Sequence, residues 1–386
     1  MNILDVVKKK KCIGCGVCAT TCPYNVIKMS YMDKEGFYRP LLKKASCINC
    51  GLCSKVCPAD NECLEGSFIG PYKEIFLAHA FDDNVRNKAT SGGVVNSLIR
   101  YLLVEGYVEA ALMVVCDNNI IGASTKFFET KDVHMLENAP RMFSSRYVAL
   151  PVLEKLSKHD YKRIAVVGTP CQMIALTKYS QIFKATKIIK IGIACSGGIS
   201  FKATEEYKKK QQAVDALMYY RGDGWPGKNS LILKDKNIEY KHLGSMFERM
   251  FSSQIFKNPG CRKCYDQFAE LADISFCDFW NNSELEHEMK GNSCVIIRNS
   301  KLKCLIDDMI KKHYIEIVRT LSEEETIKSQ SLVLKSKKNK FYHTVYGKFF
   351  SLIIDVVFKL KIYRMFDIKQ YDFFCKLYNK LLKSHK

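Results

Sequence analysis

The order Cys12, Cys15, Gly16, Cys18, Cys22, Pro23 recurs as Cys47, Cys50, Gly51, Cys53, Cys57, Pro58, at a constant offset of 35 residues. Each copy reads Cys-x2-Cys-x2-Cys-x3-Cys-Pro. Three thiolates at this spacing wrap three corners of a cubane from one tight loop and leave the fourth Cys to reach elsewhere. Gly16 and Gly51 suit a loop that hugs a cluster, because a residue without Cβ adopts positive φ and lets backbone N–H groups approach sulfide. Pro23 and Pro58 fix the exit of the chain. Zinc prefers two separated Cys pairs closing a tetrahedron, not four consecutive Cys followed by Pro.

In two-cluster ferredoxins the fourth Cys of each run ligates the other cluster. Cys12, Cys15, Cys18 and Cys57 are therefore assigned to one [4Fe-4S] cluster, and Cys47, Cys50, Cys53 and Cys22 to a second. Two half-modules this small cannot each bury a core, so residues 1–66 are expected to form one compact ferredoxin unit.

Eighteen cysteines in 386 residues call for metal or redox chemistry unless the protein is secreted. Met1 to Lys11 lacks an apolar signal segment, so the expectation is a reducing, cytoplasmic setting in which thiols stay free for metal. The composition, 47% hydrophobic and 26% charged, is that of a folded body. Strand-like runs at Ile75 to Ala80, Tyr107 to Val115, Arg163 to Val167 and Ile188 to Ala194, with helix starts at Ser91 and Thr169-Pro170, read as alternating strands and helices. Shorter strand candidates follow at Ser230 to Lys234, Ile274 to Cys277 and Cys294 to Arg298.

The formal charge is +20, and half of it falls after Ser331, where thirteen Lys and Arg face Asp355, Asp367 and Asp372. Such a tail suits an acidic partner, a membrane surface or simple solubility. Its apolar run Phe349 to Phe358 is too short to span a bilayer. A helix packed on the body is the leading reading, and peripheral contact with the inner face of the membrane is the alternative. Nucleic-acid binding is not expected, because the aromatic residues of the tail recur with aliphatics as on an apolar helix face.

Four features follow in a fixed order: Thr90-Ser91-Gly92-Gly93 opening a helix, Val167 to Gln172 around Gly168-Thr169-Pro170-Cys171, Cys195 followed by glycines, and Cys261-x2-Cys264 with Asp278-Phe279-Trp280. This order resembles the beta-subunit family of coenzyme F420 hydrogenases and dehydrogenases over roughly Pro71 to Arg298. The expected fold is α+β, a bacterial-type 2[4Fe-4S] ferredoxin fold fused to a mixed α/β flavin-binding body. Residues 70–150 and 151–325 would be the family's N- and C-terminal regions and 326–386 a basic helical tail.

The resemblance implies a third [4Fe-4S] cluster on Cys171, Cys195, Cys261 and Cys264, and FAD beside it. Singly, Cys171 and Cys195 read as core fillers. For FAD, Ser91, Gly92 and Gly93 offer a helix start to a pyrophosphate, and Gly168, Thr169 and Pro170 a second close backbone approach. Glycine-rich helix caps are the competing reading. Arg221 and Trp225, in Arg221 to Gly227, resemble a loop near substrate or flavin and equally fit an exposed turn. Cys277 departs from the glycine that family members usually carry there. It is read as structural, with Cys63, Cys116, Cys294, Cys304 and Cys375. His79, His134 and His242 are read as surface or packed residues, and no catalytic side chain is singled out. No hydrolytic triad or phosphate-binding loop signature is present in the sequence.

The expected function is an iron–sulfur flavoprotein oxidoreductase. It would pass electrons between a ferredoxin-type carrier or redox partner subunit and a small-molecule hydride acceptor or donor, coenzyme F420 or a polysaccharide-pathway metabolite. The alternative is a non-catalytic wiring subunit of a larger complex.

Overall fold

The computed structural model describes residues 2–30, 34–60, 68–117, 122–143, 150–280 and 288–384. Cys63 lies outside the described residues. Strands β1 (Ile27–Ser30) and β2 (Arg39–Leu42) pair antiparallel. With the helix Ile3–Lys8 and the short turns that follow each cysteine run, they enclose a small core of Ile3, Val6, Cys12, Cys18 and Ile27. Gly16 and Gly51 are the N-caps of those turns, at φ +87° and +76°, the left-handed backbone expected of them.

The body is one mixed sheet. Its strands are β3 (Glu74–Ala80), β4 (Ala110–Cys116), β5 (Ala123–Phe128), β6 (Arg163–Gly168) and β7 (Lys187–Ile193). A separate antiparallel sheet follows from β8 (Leu217–Tyr219), β9 (Lys228–Ile232) and β10 (Asn237–Lys241) before β11 (Ile274–Asp278), β12 (Ser293–Ile297) and β13 (Ile315–Thr320) complete the large one. Among the described residues the order across the large sheet is β13-β3-β12-β11-β7-β6-β4-β5. Neighbours from β11 through β7 and β6 to β4 run parallel, and the outer pairs antiparallel. Strand β4 is buried at every position, as a strand covered on both faces must be. The helix Val94–Val104 packs on it with Leu98, Tyr101 and Leu102 fully buried.

The end of the chain is helical. The helices Glu323–Ser329 and Ser331–Lys338 place Ile327 and Leu334 against Leu77, Phe279 and Ile296, whereas Val345–Lys359 and Ile368–Ser384 help to build a second core, in which Phe341, Phe350, Ile354 and Tyr371 meet Tyr207, Met218, Met250 and Phe256. No helix is long and apolar enough to cross a membrane among the described residues.

The ferredoxin unit is seated on the body through backbone. Leu153 N–H donates to Cys15 O at 2.9 Å and Phe201 N–H to Gly36 O at 3.1 Å. Lys178 Nζ donates to Cys57 O at 3.0 Å. A Cβ on Gly260 would stand 2.6 Å from Lys11 O and 3.0 Å from Cys12 O, so the turn carrying Cys261 touches the first cysteine loop only because residue 260 has no side chain. Gly260→Ala is expected to loosen this seam and cost about 1–3 kcal/mol as an overpacked contact. A lower thermal midpoint would register it; an unchanged midpoint would contradict it.

Candidate functional site

The fold collects the cysteines into three groups. Cys15 and Cys18 are buried, and burial first, with Cys57 and Cys12 close by, pushes both thiols well above their ordinary range. Cys22, Cys47, Cys50 and Cys53 line one cavity of about 310 Å³. The two sets paired from the sequence, each drawing its fourth Cys from the other run, are thus together in space.

Cys171 begins the helix Pro170–Ile182 that follows β6, Cys195 follows β7, and Cys261 and Cys264 sit on the turn Pro259–Lys263 and just after it. These four interact. Burial is the main cause that raises Cys171, and the charges of Cys264, Cys261 and Cys195 add to it. Burial likewise raises Cys261, to about 11, with Cys195 next in effect. Gly197 N–H donates to Cys195 Sγ and Gly198 N–H to Cys261 Sγ, both at 3.3 Å, so backbone dipoles already point at the sulfurs. Among the described residues no three His, Cys, Asp or Glu are grouped to hold one metal ion. Ligands around a single zinc, at about 2.3 Å from it, would stand only about 3.8 Å apart, and a four-iron cubane spreads its thiolates more widely.

Two lysines that sequence reading missed complete this group. Lys337, 5% exposed, donates from Nζ to Cys195 O at 2.5 Å and Asp266 O at 2.6 Å, and reaches Cys264 Sγ at 3.7 Å. Burial alone would lower its pKa, but Cys264, Cys195 and Asp266 outweigh that and raise it. Lys257 is 7% exposed and lies with Nζ 5.3 Å from the Tyr342 ring. Gly197 makes room for it, since a Cβ there would come within 2.7 Å of Lys257 Cε.

The third thiol group lies between two spaces. Cys171 and Cys264 line a narrow cleft of about 60 Å³ with Ile13 and Pro58 of the ferredoxin unit. Cys195 lines a cavity of about 690 Å³ at the carboxyl ends of the parallel strands, walled by Thr169, Cys195 to Ile199 and Phe276 to Asp278. That is where open α/β sheets bind ligands, and the volume lies in the range of small-molecule and cofactor sites. Ser329 to Val333 close one wall. Gln330 Nε2 donates to Asp278 O at 2.6 Å.

Of the residues expected near a flavin, Ser91, Gly93, Thr169 and Arg221 line this cavity. Gly92, Gly168, Pro170 and Trp225 are not among its lining residues. A Cβ on Gly92 would meet Ser293 N and Ala78 O, and one on Gly168 would meet Gln172 and Met173, so both glycines also serve packing. Thr169 caps its helix in a capping box with Gln172 and touches Cys171 Sγ at 3.4 Å. Trp225 packs against Trp280 with the rings tilted by 36° and centroids 4.5 Å apart, and the Arg221 guanidinium lies 4.8 Å from the Trp225 ring. Arg221 pairs with Asp278 through Nη1. Among the described residues its Nη2 and His242 Nδ1 are buried without hydrogen-bond partners, two polar atoms left over on residues that line the cavity.

Such a chain is an iron–sulfur redox protein with a ligand cavity abutting its body thiols. A 4Fe-4S dicluster domain model matches residues 11–61. The models for the coenzyme F420 hydrogenase/dehydrogenase beta subunit match at residues 75–156 for its N-terminal part and 161–323 for its C terminus, and the chain belongs to this family. It is 24% identical over 294 residues to the coenzyme F420 hydrogenase subunit beta of Methanosarcina barkeri, covering 71% of this chain and 95% of that one. It is 25% identical over 271 residues to the F420-dependent formate dehydrogenase subunit beta of Methanocaldococcus jannaschii, covering 68% of each chain. A chain from the structure of the F420-reducing [NiFe] hydrogenase complex of Methanosarcina barkeri shares the fold, with a TM-score of 0.54 at 18% identity over 73% of this chain and 95% of that chain.

His242 adds a pH dependence. Burial, and then the charge of Arg221, lower its pKa to about 4 from an unfolded value near 6.5. Between these values the unfolded chain binds the proton and the folded one does not, so stability is full above about pH 6.5 and is lost as pH falls toward 4, by about 3 kcal/mol at most. His242→Gln is expected to flatten this part of the thermal midpoint against pH profile; identical wild-type and variant slopes between pH 7 and 5 would refute the assignment.

Proposed function

We propose that the chain is an iron–sulfur flavoprotein oxidoreductase that exchanges single electrons with a ferredoxin-type carrier or redox partner subunit and a hydride with a small molecule in the large cavity. The observation that carries this reading is the placement of Cys171, Cys195, Cys261 and Cys264 between the ferredoxin unit on one side and that cavity on the other. The relatives named as F420 hydrogenase and formate dehydrogenase subunits support coenzyme F420 as the substrate class. A polysaccharide-pathway metabolite remains the other substrate reading.

Cys12, Cys15, Cys18 and Cys57 would hold one cluster, Cys22, Cys47, Cys50 and Cys53 a second, and the four body thiols a third. FAD, when bound, supplies the conversion between one-electron and two-electron chemistry. The chain's own residues fit these groups. The N–H groups of Gly197 and Gly198 and the ammonium of Lys337 face body sulfurs. The Gly93-capped start of Val94–Val104, which has no side-chain cap, meets the cavity as a site for a phosphate. Arg221 Nη2 and His242 Nδ1 offer further bonds to a polar ligand, and the Trp225 and Trp280 rings pack on the Arg221 guanidinium and help to hold it in place.

Analysis of iron, acid-labile sulfide and released flavin on protein purified without oxygen tests this directly. About 12 iron atoms per chain with one FAD is the expected result. About 8 iron atoms, with no flavin retained even after reconstitution, would instead favour a wiring subunit.

Lys337 gives a second test. A cluster grows more negative on reduction, so a buried ammonium beside it favours the reduced form. Lys337→Met is expected to lower the midpoint potential of one cluster by on the order of 60 mV, a tenfold shift for one electron, while Lys337→Arg keeps most of it. Titration followed by electron paramagnetic resonance reads this, and unchanged potentials for all clusters in Lys337→Met would remove Lys337 from that role.

A further inference from the structure

The helix Val345–Lys359 is apolar on two opposite faces. One face is accounted for by Phe350, Ile354 and Val357, which are buried in the second core. On the other, Val345, Phe349, Leu352, Val356 and Leu360, the residue that caps its end, follow at spacings of three and four and are 80%, 61%, 63%, 43% and 69% exposed. Residues at this spacing share one helix face, so they form a continuous ridge about 22 Å long at 1.5 Å per residue. Single exposed apolar side chains are ordinary on a protein surface, whereas a continuous row of five marks a surface made to meet another. A helix apolar all round is expected in a core or a membrane span, and this one, with 15 residues, is too short to span.

The charges around the ridge select its partner. Lys348 and Lys359 lie on the same helix and are exposed, and Lys361, Arg364 and Lys369 follow, also exposed. None of these five pairs with a carboxylate among the described residues. The carboxylates nearby are occupied. Asp355, within the helix, is paired with Arg262 at 2.8 Å and lies 3.9 Å from Lys10. Asp367 accepts from Lys369 N at the start of the last helix. Asp372 is held by Lys376 and Arg249. What remains outward is an apolar ridge rimmed by cations. Protein interfaces are depleted in lysine and present pockets around their anchors. An exposed apolar helix face with exposed lysines on the same helix is the arrangement of helices that lie in a lipid headgroup layer.

We propose that this ridge seats the protein on the surface of an anionic bilayer, with Val345, Phe349, Leu352, Val356 and Leu360 reaching the acyl boundary and Lys348, Lys359 and Lys361 meeting lipid phosphates. The contact is peripheral, and it leaves the buried face of the helix and the Asp355–Arg262 pair in place. The large cavity and the cysteine groups are not required for it, so it stands or falls apart from the redox reading.

The test is flotation of the full, cluster-loaded chain with vesicles of phosphatidylcholine alone or with roughly one-third phosphatidylglycerol. Wild type is expected to float with the anionic vesicles, less so as salt rises, and to float poorly with phosphatidylcholine alone. The double variant Phe349→Glu/Leu352→Glu is expected to lose about tenfold or more of the bound fraction, and Lys348→Glu/Lys359→Glu to lose most of the preference for anionic vesicles. All four side chains are exposed, so the visible absorbance of the clusters and the circular dichroism should match wild type and certify the fold. Failure of wild type to float with anionic vesicles overturns the proposal, as does undiminished flotation of Phe349→Glu/Leu352→Glu. So does a wild-type dimer by sedimentation velocity that Phe349→Glu/Leu352→Glu converts to monomer, because a second copy would then be what covers the ridge.

Discussion

Gathering four thiols in one place, Cys261 buried and Cys171, Cys195 and Cys264 half-buried, is the constraint on which much of this structure depends. Desolvation holds Cys171, Cys195 and Cys261 protonated, and they become thiolates only where positive charge meets them, so metal loading must release protons. The fold brings part of that charge before any iron arrives. Lys337 and Lys257 are buried ammonium groups that water cannot solvate, tolerable only because backbone carbonyls, sulfur and an aromatic face surround them. Two buried lysines and four thiols shielded from water wholly or in part are each costly alone, and their shared location is what makes either acceptable.

This dependence explains the arrangement of the chain. Lys337 belongs to the helix Ser331–Lys338, far along the sequence from the strands whose ends carry Cys171 and Cys195, and the same segment supplies Ser329 to Val333 to the cavity wall. Arg262, between the two cysteines of the Cys-x2-Cys turn, is tied to Asp355 in the helix Val345–Lys359. The terminal helices are therefore part of the thiol site and not an appendage to it. Removing them would expose Cys264 and the cavity together, leave Arg262 without its carboxylate and strip one ammonium from the sulfurs.

How much of this was legible in the sequence follows from how local each signal is. The eight ferredoxin thiols were readable because spacing within a dozen residues decides which sulfurs reach one cluster, and the structure brings those sets together. The strands at Ile75, Tyr107, Arg163 and Ile188 were readable because covered strands are continuous apolar runs, whereas Ala123–Phe128, a partly exposed edge strand, carries no such run and was missed. The four body thiols were legible only from the order of motifs, since no spacing links Cys171 to Cys264. Lys337 was invisible: one lysine among thirteen basic residues of a tail reads as solvated charge. Gly92 and Gly168 were expected at a ligand and instead also fill packing roles, because a glycine needed for close strand contact carries the same letter as one needed for a phosphate.

Cys277 shows how one substitution is absorbed. Where the family resemblance leads one to expect glycine, its side chain stands opposite Cys294 on the neighbouring strand, in register. The hydrogen bond it donates to Cys294, and then burial, raise the Cys277 thiol well above its ordinary range, so it is a neutral part of the cavity wall, 6% exposed. Arg221, beside it, has its charge answered by Asp278. The carboxylate and the thiol pair thus leave this end of the cavity close to neutral, with Arg221 Nη2 and His242 Nδ1 as its unspent polar atoms. A ligand bound here meets directional hydrogen bonding in a weakly charged wall, and recognition then rests on where its polar atoms fall and not on its net charge.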